Sequence, residues 1–113
     1  SMKYYFNMYV SEELNDKKDE ILRKIENKQV QLNKYVIVLA KNEKNHLEFF
    51  DSVLLIQNTI PKDELFVIGL AAGYQGALEM IEEITREVYD LTDDVDIRGF
   101  LLGRQKEYEE SKA

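Results

Sequence analysis

The sequence predicts a small layered α/β domain, with α+β as the alternative. Three observations lead there. Two apolar runs, Tyr35–Ala40 and Leu65–Ile68, are unbroken, as expected of strands buried on both faces. A glycine turn and a long amphipathic pattern follow the second run. The remaining apolar residues alternate between strand-like and helix-like spacing along the chain. A single domain over residues 1–113 is expected, with a sheet of two or three strands (about 3–10, 35–40 and 65–70). Helices over about 12–28, 47–57, 74–91 and 95–110 pack on it.

Residues 3–10, KYYFNMYV, place Tyr4, Phe6, Met8 and Val10 on one face and Tyr5, Asn7 and Tyr9 on the other, an aromatic strand pattern. Ser1 before Met2 reads as a cloning remnant. In 12–28, Leu14, Ile21, Leu22 and Ile25 share a helical face, and Ser11, Asn15 or Asp16 is placed to cap it. In 47–57, Leu47, Phe50, Val53 and Leu54 suit a helix, but Phe49 and Ile56 fall off its face. A hairpin strand returning along 35–40 explains the same residues, and the helix is preferred. Pro61 fixes a loop before the 65–70 strand. If strands 35–40 and 65–70 are parallel neighbours, their crossover is right-handed.

The helix over 74–91 is the clearest element. Ala77, Met80, Ile81, Ile84, Val88 and Leu91 follow the three-and-four spacing of one face, while Glu79, Glu82, Glu83, Arg86 and Glu87 lie opposite. Ile97, Phe100, Leu101 and Tyr108 mark a last helix, capped by Asp94 or Asp96. Residues 109–113 are expected to fray.

Composition narrows function mainly by exclusion. The chain lacks cysteine, which removes disulfides, zinc–thiolate sites and thiol catalysis. It has one histidine, His46, with no partner at helical spacing, and this reads as a surface residue. No apolar stretch is long enough to span a membrane. No signal peptide is visible, so a cytoplasmic address is expected. The net charge is −7, and residues 79–96 hold eight acids and one base, so that stretch accounts for it. Nucleic acid and anionic membranes are therefore disfavoured partners. A basic patch of Lys17, Lys18, Lys24, Lys28 and Lys34 is the one feature that points the other way.

The glycine turn, Gly69 to Gly76, sits where α/β proteins bind phosphates. Neither the dinucleotide nor the P-loop spacing is matched, and residues 63–85 contain no Lys or Arg. Close packing of helix on sheet explains the glycines. The acidic run 90–96 resembles the start of a calcium loop, but Arg98 and Gln105 then occupy ligand positions. Neither a metal nor another cofactor is implied.

Two functional expectations follow. The first is a non-catalytic accessory or regulatory domain acting through protein contacts, as a homo-oligomer or with a protein partner. Tyr4, Tyr5, Phe6 and Tyr9 are its interface candidates, because tyrosine-rich patches favour such contacts. The alternative is a small-molecule or nucleotide site, with or without catalysis, in the crevice at the carboxyl ends of strands 35–40 and 65–70. Lys41, Asn42, Gly73, Tyr74, Gln75 and Gly76 would meet there.

Overall fold

Strand β1 (Lys3–Val10) opens the chain and is followed by a 3-10 turn (Glu12–Lys17) and helix α1 (Lys18–Glu26). Strands β2 (Lys34–Leu39) and β3 (Leu47–Asp51) form a hairpin, and β4 (Phe66–Ala72), α2 (Gly73–Thr92) and α3 (Ile97–Ser111) complete the chain. The computed structural model describes residues 1–41, 47–57 and 59–113. The strands form one mixed sheet in the order β1-β4-β2-β3. β1 and β4 are parallel, whereas β2 is antiparallel to both β4 and β3. The result is an α+β domain with four strands, not two or three.

The sheet is covered on both sides, as the unbroken apolar runs require. On one face Tyr5, Ile37, Leu39, Ile68 and Ala71 meet Ala77, Met80, Ile84 and Val88 of α2 and Ile97 and Leu101 of α3. On the other, Val36, Val38, Val67 and Leu70 meet Leu14, Ile21 and Ile25 of the 3-10 turn and α1, together with Met2 and Leu55. Val36, Ile37, Val67, Ile68 and Leu70 have no exposed surface.

Residues 47–57 correct the preferred helix. Leu47 and Phe49 face the α2 layer and Phe50 the α1 layer, so the segment alternates as a strand should. Phe49 and Ile56, which no helical face could hold, were the signal. The strand ends at Asp51, whose carboxylate accepts the Val53 N–H at 3.0 Å. A 3-10 turn (Ser52–Leu55) then buries Leu55. That mixture of strand and turn imitates a helical spacing of apolar residues. The parallel pairing of the 35–40 and 65–70 strands is corrected as well, because Lys34 lies opposite Ala72 and Val38 opposite Val67. The chain returns from β3 to β4 through residues 52–65, and the predicted 12–28 helix begins as a 3-10 turn.

Irregularities in β4 and β1 set how the helices sit. Ile37 pairs with Gly69 and Val38 with Val67, so Ile68 is an extra residue in β4, a bulge. A side chain on Gly69 would lie 2.7 Å from Met80 Sδ and 3.2 Å from the Tyr9 carbonyl. Glycine there lets α2 lie close on the sheet. The β1–β4 register also breaks between Tyr4 and Tyr9. In the gap, the Phe6 N–H donates to Gln105 Oε1 of α3 at 2.9 Å. A buried glutamine side chain thus satisfies a backbone N–H of an edge strand.

Candidate functional site

Topology decides which side chains share a site. Since β2 runs against β4, their carboxyl ends lie at opposite ends of the sheet. The predicted crevice is therefore divided. Lys41 follows β2 at one end, whereas Gly73, Tyr74, Gln75 and Gly76 form the first turn of α2 at the other. Asn42 and His46 lie outside the described residues.

At the α2 end, the parallel strands β1 and β4 finish side by side. The Ser11 N–H donates to the Leu70 carbonyl, and Ser11 Oγ accepts the Ala72 N–H, both at 3.0 Å. Ser11 was a predicted helix cap, but its hydroxyl ties two strand ends together instead. Gly73 has φ +78°, the left-handed region that glycine tolerates best, and this turns the chain from β4 into α2. The 3-10 turn after β1 and the opening turns of α2 then diverge. Between them lies a crevice of about 660 Å³ bordered by Glu12, Glu13, Asn15, Gln75, Glu79 and Glu83.

Four carboxylates define the chemistry of this crevice. The helix N-terminus beneath it favours an anion by itself. Four full negative charges outweigh a partial positive one, so the crevice attracts ammonium and guanidinium groups and repels phosphate. Glu12 and Glu13 come from one element and Glu79 and Glu83 from another. No local motif links them: Glu79 and Glu83 read as part of an acidic helix face, and nothing in the sequence singles out Glu12 and Glu13. Among the described residues, no group of three or more His, Cys, Asp or Glu side chains is arranged to hold a metal ion.

The aromatic residues of β1 are engaged within the chain. Tyr5 is buried and stacks parallel to Tyr9, with centroids 6.4 Å apart. Tyr9 donates its hydroxyl to Glu87 at 3.1 Å. Burial, and then the Glu87 charge, push the Tyr9 phenol well above its ordinary range. Phe6 is partly exposed and stacks on Tyr108 of α3 at 4.5 Å. Tyr4 donates to Glu26 Oε2 at 2.7 Å, and burial followed by that carboxylate likewise raises its phenol. Glu26 also accepts the Met2 N–H at 3.1 Å and lies near Lys62. Burial alone would raise the Glu26 carboxyl, but these donors and the lysine outweigh it and hold it below its ordinary value. The more open aromatic side chain is Tyr74, edge-on to Tyr35 and Phe49 beside the hairpin.

The lysines of the predicted basic patch are interspersed with acids. Lys17, Lys24 and Lys34 border a pocket of about 500 Å³ together with Glu13 and Glu20. Lys24 pairs with Glu20 at 3.3 Å, and Lys34 Nζ donates to the Leu32 carbonyl at 2.9 Å. Among the described residues, no helix is long and apolar enough to cross a membrane. Comparison with protein-family models, with curated proteins and with solved structures found no match.

Proposed function

We propose that this domain acts through protein contacts, without catalysis of its own, and that it takes a basic segment of a partner protein into the crevice between the β1 end and α2. One observation carries the reading: four glutamates from two separate elements converge on one crevice. The exposed face of α2 extends the same charge through Glu82, Glu87 and Asp90. A lysine- or arginine-rich segment would find hydrogen-bond acceptors in the crevice and a favourable field along the helix. The same field disfavours nucleic acid.

Fluorescence anisotropy with a labelled arginine-rich peptide tests this. The expected result is saturable binding that weakens as salt rises and is lost in Glu79→Lys/Glu83→Lys. Both side chains are exposed, so the fold should survive the exchange. Binding that is absent, or unchanged in the double variant, contradicts the proposal.

A further inference from the structure

A third pocket, about 270 Å³ in volume, lies at the opposite end of the sheet from the acidic crevice. It is bordered by the start of β1, the end of β2, the approach to β4 and one side of α3. Four bases line it, Lys3, Lys41, Arg98 and Lys106, against two acids, Glu64 and Glu109. That is a local charge of +2 in a chain whose net charge is −7. Both acids already have partners. Glu64 pairs with Lys41, and Glu109 accepts from Gln105 Nε2 at 3.0 Å and lies 3.7 Å from Lys3. Arg98 and Lys106 therefore supply the uncompensated charge, since no carboxylate pairs with either among the described residues.

Arg98 is also held in place. Its Nη1 donates to the Ala40 carbonyl at the end of β2, and the residue is half-buried. One N–H of the guanidinium is thereby committed, and the other four remain to donate to an oxyanion in the pocket. Lys106 lies two turns further along α3, on the same pocket wall. Leu39 and Leu102 add an apolar side to the lining.

We infer that this pocket binds a small organic phosphate. A phosphate monoester carries about −1.5 to −2 charges near neutral pH, which matches the lining. Its oxygens would take hydrogen bonds from Arg98 and Lys106, and its organic part would lie against Leu39 and Leu102. The volume restricts the ligand to something small. The site is independent of the acidic crevice, because it shares no lining residue with it.

The test is a titration of the ¹⁵N-labelled chain, at constant ionic strength, with phenyl phosphate, inorganic phosphate, succinate and chloride. The expected result is saturable shifts at the Ala40, Lys41 and Leu102 amides and at Arg98 Nε, with phenyl phosphate tightest. Lys106→Gln should weaken phenyl phosphate binding about tenfold, the usual size of one lost charge-assisted hydrogen bond. Lys106 is exposed and outside the core, so this variant stays informative if Arg98→Gln fails to fold. Lys24→Gln, remote from the pocket, should change nothing. Shifts that do not saturate, that chloride reproduces, that succinate exceeds, or that persist undiminished in Lys106→Gln would overturn the assignment.

Discussion

Single residues settle two questions of packing and charge. Gly69 sits where the β4 bulge brings Met80 of α2 and the Tyr9 carbonyl against the backbone. Adding one methyl group there forces the helix or the bulge to shift, at a typical cost of about 1–3 kcal/mol. Gly69→Ala should lower the denaturation midpoint accordingly, and a variant as stable as the parent would contradict the close approach. Glu26 governs acid stability near the N-terminus. Its carboxyl is held below its ordinary value of 4.5, so the ionised form is favoured by folding. That contribution is fully present above the unfolded value and is lost as pH falls through the lower folded one. Glu26→Gln should therefore be less stable than the parent at neutral pH, and the difference should shrink as the pH falls below about 4.5. Chemical denaturation of both proteins across that range measures it.

At the scale of elements, the two edges of the sheet are treated differently. α3 covers β1, and Gln105 accepts the Phe6 N–H of this edge strand. Gln105→Leu keeps the volume but removes the acceptor. It should cost about 1–3 kcal/mol and speed hydrogen exchange at Phe6 more than at Val67. Equal protection at Phe6 in both proteins would show that the bond carries no weight. Strands β1, β2 and β4 and helices α2 and α3 were legible in the sequence because each buries a regular stripe or run of apolar side chains. Residues 47–57 were not, because Leu47, Phe50, Val53 and Leu54 keep helical spacing across a strand that ends in a 3-10 turn. The direction of β2 against β4 depends on that hairpin, so one misread element misplaced the candidate site. Lys41 and Gln75, expected to meet in one crevice, line different pockets. Arg98 and Lys106 were missed because their meeting with Lys3 and Lys41 depends wholly on topology.

Viewed as a whole, the molecule carries opposite charge at the two ends of one sheet. Four glutamates border the crevice at one end, and four bases against two acids border the pocket at the other. The principal extents of the chain are 39, 34 and 29 Å. Charges at the two ends are therefore separated by well over the roughly 8 Å screening length of physiological salt. Each end therefore presents its own field. Self-association through the β3 edge is a prediction at this scale. Among the described residues no backbone hydrogen bond beyond the β2 ladder is made by β3, and an edge strand of that kind can pair with a further strand. Pairing there with a second copy predicts a sedimentation coefficient that rises with concentration, whereas a concentration-independent monomer mass would exclude it.

Whether the acidic crevice receives a basic segment is decided by residue-resolved chemical-shift mapping of the ¹⁵N-labelled chain with an arginine-rich peptide. The expected perturbations are confined to Ser11–Asn15 and to Gln75–Glu83 and fade as salt is added. Perturbations spread evenly over the acidic surface of α2 and the 93–96 turn, with none at Ser11–Asn15, would contradict a crevice and leave only a diffuse attraction of charge.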